Sequence, residues 1–145
     1  MTNQVLDYFT SNIGKYAFEM SPSPLGRWLN GKLIAVDEGS LTVEFVVREE
    51  MTNPGRILHG GTTASMLDDV MGMTVFSLGR ESFYSTINLS IDYLLSAKAG
   101  DVIFVKSKVI RPGKTVINME CEARNSEHKI IAKCTSNLVA TGVKI

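Results

Sequence analysis

The sequence predicts an α+β fold, an antiparallel sheet wrapped around one central helix, on three observations. The run from Gly60 to Leu78 is rich in Ala, Met and Leu and apolar on nearly every face, the pattern of a helix buried on most sides. Two strand-like segments precede this run and four follow it. Every connection after the helix is short enough for a hairpin, and hairpins build antiparallel pairs.

The elements follow in order. Leu6, Phe9, Ile13 and Phe18 are spaced for a short amphipathic helix, so residues 1–25 are assigned to an N-terminal helix and linker. Ser21-Pro22-Ser23-Pro24 ends that helix, because proline fixes φ and pushes the residue before it out of the α region. Two strands are expected next, Trp28–Val36 and Leu41–Val47, joined through the turn residues Asp37-Glu38-Gly39-Ser40. In the second, Leu41, Val43, Phe45 and Val47 alternate with Thr42, Glu44 and Val46, the period of a half-buried strand. Thr52-Asn53-Pro54-Gly55 is a turn cluster, and the central helix is placed at about 58–78. The four later strands are Phe83–Leu95, Val102–Arg111, Thr115–Arg124 and Lys129–Thr141. Gly100-Asp101, Pro112-Gly113 and Asn125-Ser126-Glu127-His128 supply their turns.

A chain of 145 residues, 44% hydrophobic and 21% charged, is expected to be one globular domain. Fifteen Lys+Arg balance fifteen Asp+Glu, which argues against a dedicated nucleic-acid or anionic-membrane binder. The longest charge-free stretch, Ile57–Leu67, falls well short of the roughly 20 apolar residues that span a bilayer. The N-terminus lacks a basic n-region and carries Asp7, so no signal peptide is expected. Cys121, Cys134 and the two histidines form no zinc-ligand spacing. The expectation is a soluble, cytoplasmic, metal-free protein.

The chemistry-bearing stretch runs from Asn53 through His59-Gly60-Gly61, with Asp68-Asp69 inside the apolar helix. The first free amides of a helix carry partial positive charge and suit a developing oxyanion. Taken alone, Gly60-Gly61 requires no more than a tight strand-to-helix turn. Asp68 adds to this, since a carboxylate in a helix apolar on nearly all sides is costly unless it is paired or used. Adjacent helix positions differ by about 100°, so one of the two aspartates can be solvated, or paired with an arginine such as Arg80. Asp68 lies about 12 Å up the helix from Gly60 at roughly 1.5 Å per residue, whereas a base and an oxyanion donor must both lie about 3 Å from the reacting atoms. A catalytic use of the motif therefore requires a two-fold dimer that brings Asp68 of one chain to the Gly60 end of the other.

Asn53, His59-Gly60-Gly61 and Asp68 nine positions after the histidine, with the strand Ser85–Leu94 and Arg111-Pro112-Gly113-Lys114-Thr115, resemble the hotdog-fold acyl-CoA thioesterases of the phenylacetic-acid-degradation (PaaI) type. The resemblance runs from about Leu29 to the C-terminus. It implies a thioesterase for aromatic or medium-chain acyl-CoA whose site straddles a homodimer, itself part of a dimer of dimers. By the same resemblance the Gly60 amide polarises the thioester carbonyl, and Asp68 of the other protomer is general base or nucleophile. Asn53 and His59 hold the loop, Gly61 borders the substrate, and Thr86 orients the water. Coenzyme A is then part of the substrate and no separate cofactor is expected. One departure is Asp69, where many members carry a neutral residue; a second carboxylate disfavours joint ionisation and raises a neighbour's pKa.

Other residues have plainer explanations. Arg111 and Lys114 flank a turn; they suit the phosphates of coenzyme A, or are simply solvated. Met66, Met71 and Met73 fit core filling as well as an adaptable acyl pocket. Cys121 and Cys134 are expected reduced and buried on neighbouring strands, and His128 solvated in a hairpin turn. Ser65 and Ser90 show no nucleophile motif. Two alternatives share the fold: an acyl-thioester hydratase or dehydratase, whose His-and-acid arrangement is not found here, and a non-catalytic acyl-CoA binding module.

Overall fold

The computed structural model describes residues 2–145. Three short helices come first: α1 (Gln4–Ser11), α2 (Ala17–Met20) and α3 (Pro24–Leu29). The strands are β1 (Lys32–Asp37), β2 (Ser40–Val46), β3 (Ser82–Tyr93), β4 (Val102–Pro112), β5 (Val116–Asn125) and β6 (Ile130–Lys144), and the long helix α4 (Gly60–Phe76) lies between β2 and β3. All six strands form one antiparallel sheet in the order β1-β2-β4-β5-β6-β3.

The wrapping follows from which side chains need cover. Met66, Leu67, Val70, Met71 and Val75 of α4 are buried against one face of the sheet. That face carries Val43 and Phe45 of β2, Ile103 and Val105 of β4, Ile117, Met119 and Cys121 of β5, and Leu138 of β6. In β5 the alternation separates buried Ile117, Met119, Cys121 and Ala123 from Val116, Asn118, Glu120 and Glu122, as expected. The helix is pinned at its C-terminal end by Ser77, whose Oγ accepts from the Gly39 amide at 2.8 Å in the β1–β2 turn. Gly39 has φ +80°, a left-handed conformation that glycine adopts without penalty.

Two expectations are corrected. Trp28 and Leu29 do not start a strand; they end α3, which Ser23 caps through a hydrogen bond from the Gly26 amide at 3.1 Å. Pro24 occupies the first helical turn and Asn30, at φ +53°, closes it. Of the two Ser-Pro pairs, Ser21-Pro22 follows the end of α2 and Ser23-Pro24 starts α3, because proline is well suited to a first helical turn. The N-terminal helix also stops at Ser11, and Phe18 belongs to the separate α2, 72% exposed. At the break, Gly14 has φ +89° and its amide donates to the Leu33 carbonyl. The boundaries of the later strands lie within three residues of the expectation, and β4 starts at Val102 as expected. At the end of β3, Leu94 and Leu95 both turn their amides onto the single carbonyl of Ile131.

Candidate active site

Asp68 and Asp69 leave α4 in different directions and meet different surroundings. The half-buried Asp68 carboxylate accepts a hydrogen bond from Thr86 of β3, Oγ1 to Oδ1 2.8 Å. Asp69 turns instead to the turn before α3, where its Oδ2 would lie 3.1 Å from a Cβ built on Gly26, beside Ser21 and Ser23. Burial, and after it the charge of Asp68, push the Asp69 carboxyl up to about 6, with a hydrogen bond from Ser23 opposing them. Neither aspartate pairs with Arg80, which donates to the Pro112 carbonyl at 2.8 Å, the Tyr84 hydroxyl at 3.0 Å and the Gly113 carbonyl.

The other group of expected residues gathers at the start of α4. His59 caps the helix: its Nδ1 accepts from the Gly61 amide at 2.9 Å, so the neutral ring carries its proton on Nε2. The Gly61 amide is thereby occupied. The Gly60 amide, first of the helix, has no acceptor among the described residues. Asn53 shapes the loop before it, its Oδ1 accepting from the Gly55 amide at 2.9 Å and the Ile57 amide at 3.4 Å. A cavity of about 380 Å³, bordered by Asn53, Leu58, Gly60, Tyr93 and Ala97, opens beside this amide.

The structure thus brings Asp68 to Thr86, and Asn53, His59 and Gly61 to Gly60, but leaves the two groups at different places along one helix. Arg111 and Lys114, both exposed, lie at the β4–β5 hairpin. Tyr84 donates to the Lys114 carbonyl at 2.8 Å, which fixes that hairpin near the C-terminal end of α4, away from Gly60. Sequence reasoning missed Tyr93, whose hydroxyl donates to the Gly60 carbonyl at 2.8 Å, and the turn of Ser21 and Ser23 that receives Asp69. Both are contacts across the sheet or from the N-terminal segment, and no local pattern announces them. His128 is exposed. Cys121 and Cys134 stand directly opposite in the β5–β6 register, buried and unbridged, and no cluster of metal ligands occurs among the described residues.

Residues 55–132, more than half of the chain, match the model of the thioesterase superfamily. The chain belongs to that superfamily. This thioesterase overlays the structure of Escherichia coli PaaI with TM-score 0.83 and 23% identity, covering 97% of this chain and 99% of that one, which establishes the hotdog fold. It is 30% identical to human acyl-coenzyme A thioesterase 13 over 76% of this chain and 74% of that protein. A Caenorhabditis elegans relative is 32% identical over 69% of this chain, which spans 60% of that protein's length. A hypothetical thioesterase of Streptococcus pneumoniae, solved with coenzyme A, is 27% identical with TM-score 0.75, covering 80% of this chain and 89% of that one. That protein has also been solved with alanine in place of an aspartate and of a threonine. As a member, this chain is a thioester hydrolase. No helix among its described residues is long and apolar enough to cross a membrane.

Proposed function

We propose that this thioesterase hydrolyses aromatic or medium-chain acyl-CoA at a site completed by two protomers. The observation that carries the proposal is the Thr86–Asp68 hydrogen bond at 2.8 Å. It holds a carboxylate and a hydroxyl side by side, ready to share a water. Asp68 takes a proton from that water as its oxygen attacks the thioester carbonyl carbon. The carbonyl oxygen becomes an oxyanion facing the Gly60 amide of the other protomer, at the positive end of α4. Collapse of the tetrahedral intermediate breaks the C–S bond, and the departing thiolate of coenzyme A takes the proton. The products are the free acid and the free thiol.

Two protomers are required by reach. Eight residues of helix separate Gly60 from Asp68, about 12 Å at roughly 1.5 Å per residue. The human acyl-coenzyme A thioesterase 13 and the pneumococcal thioesterase solved with coenzyme A support the acyl-CoA class, and the pneumococcal alanine variants replace the same two residue types that meet here.

Mixing two inactive variants tests the scheme. Asp68→Asn removes the base. Gly60→Pro removes only the amide: proline is tolerated at the first helical position, and His59, at φ −65° and ψ 134°, already has the extended backbone a residue before proline needs. Thiol release from phenylacetyl-CoA should fall about 10²–10⁴-fold for Asp68→Asn and about 10²–10³-fold for Gly60→Pro. When the two are unfolded together and refolded as a mixture, heterodimers carry one intact site, so roughly a quarter of wild-type activity should return. No recovery from a correctly dimeric mixture would overturn the shared site.

A further inference from the structure

Gly72 has no structural reason to be glycine. It lies deep in α4, a helix of seventeen residues, where glycine weakens a helix relative to alanine. Its φ is not positive, and a Cβ built on it would meet nothing within 4 Å. Gly31 shows the contrast: a Cβ there would lie 2.4 Å from Val43, so close packing accounts for that glycine. At Gly72 the side chain is missing from open space. That space is a cavity of about 370 Å³ between α1, the turn before α3, the second half of α4 and the start of β3. Its walls include Phe9, Met73, Phe76 and Phe83, and Asp68 also borders it. The Phe76 and Phe83 rings are tilted at 6.2 Å between centroids, a packed aromatic wall. The volume falls in the usual range for a small-molecule site, roughly 300–1,000 Å³.

We infer that Gly72 is a specificity-determining residue, leaving room beyond Asp68 for an apolar acyl group bulkier than acetyl. The inference rests on the acyl-CoA reading above. With the thioester carbon held at Asp68, the acyl group has the cavity before it, and Gly72, one helical turn further along α4, sets how much of it is free. The N-terminal segment, including Phe9 of α1, supplies the outer wall.

Binding in an Asp68→Asn background separates this inference from the catalytic reading, because the readout needs no turnover. The probes are phenylacetyl-CoA, octanoyl-CoA and acetyl-CoA, each titrated calorimetrically with and without Gly72→Leu. Leucine suits a helix and fills the open space. The ratio of the phenylacetyl to the acetyl association constant should fall at least about thirtyfold, as should the octanoyl ratio, since each methylene of lost room is worth roughly 10–200-fold. Gly72→Ala, which adds one carbon, should lower the ratios less and raise the melting temperature. Ratios unchanged by Gly72→Leu in a protein that melts like its parent would overturn the inference. Should Gly72→Leu not fold, Gly72→Met, with its adaptable side chain, gives the same reading with the same two outcomes. Absent thiol release by wild type with the ratios shifted would sink the hydrolase scheme and leave the role of Gly72 standing.

Discussion

Asp69 shows how a neighbour without a catalytic assignment leaves a mark on stability. Its carboxyl sits near 6 in the folded protein against an ordinary 3.8, raised by burial and then by the Asp68 charge. The folded chain therefore holds this proton to a higher pH than the unfolded chain. Between about pH 4 and pH 6 folding takes up a proton, so this group's contribution makes stability fall as pH rises through that window. Ionised Asp69 costs up to about 3 kcal/mol, from roughly 1.4 kcal/mol per pH unit of displacement. Asp69→Asn keeps the shape and removes the charge. Urea unfolding at pH 4 should show the variant close to wild type, whereas at pH 7.5 it should be more stable by roughly 1–3 kcal/mol. A stability difference that does not grow between those two pH values would place the burden elsewhere.

At the scale of elements, the start of α4 couples fold to chemistry through one side chain. His59 takes the Gly61 amide at 2.9 Å and leaves Gly60 as the amide free to face a substrate. Replacing a capping side chain by alanine costs about 1 kcal/mol, and here it would also release a second amide beside the first. His59→Ala should lose about that much in urea unfolding. His59→Asn, whose short carbonyl caps helices well, should recover most of it. Equal loss in both variants would show that the cap is not what His59 supplies. The helix itself was legible in the sequence because nothing but burial explains Met66, Leu67, Val70, Met71 and Val75 within ten residues. The Gly60-Gly61 and Asp68-Asp69 pairs stand out in the sequence because glycines at a helix start and carboxylates in an apolar helix each break the local pattern, but residue chemistry alone does not say which aspartate meets Thr86. Helix α3 was not legible. Trp28 and Leu29 are bulky apolar residues that suit a strand as well as a helix, and only the Asn30-Gly31 turn dipeptide separates them from Lys32–Val36, while the capping signal of Ser23-Pro24 also fits the end of the helix before it. Tyr93 and Gly72 escaped for a different reason. One acts across the sheet and the other by the absence of a side chain, and neither leaves a periodic trace.

For the whole molecule, the sheet order puts β3 at an edge, paired with β6 on one side only. Twelve residues long, it is a long unpaired edge, which isolated proteins usually shorten, charge or cover. It exposes Phe83 and Ile87, the latter 58% accessible, and Ile87 adjoins Thr86, the partner of Asp68. Pairing this edge with its own copy antiparallel would satisfy the open backbone groups, bury Ile87 and set two Thr86–Asp68 pairs next to the two-fold axis. Ile87→Lys introduces a charge of the kind natural edge strands use against pairing, at a position whose side chain makes no contribution to the core beneath α4. Sedimentation velocity should show the wild type as a dimer or a dimer of dimers and the variant shifted towards monomer at micromolar concentration. Thiol release should fall in parallel with the dimer fraction, because each protomer then holds an acid with no amide opposite it. Circular dichroism should stay that of the folded chain, since β3 keeps its pairing to β6. A folded monomer of Ile87→Lys that hydrolyses phenylacetyl-CoA at the wild-type rate would mean that a single chain brings its own base and its own oxyanion donor to one thioester, against the reach of an eight-residue span of helix.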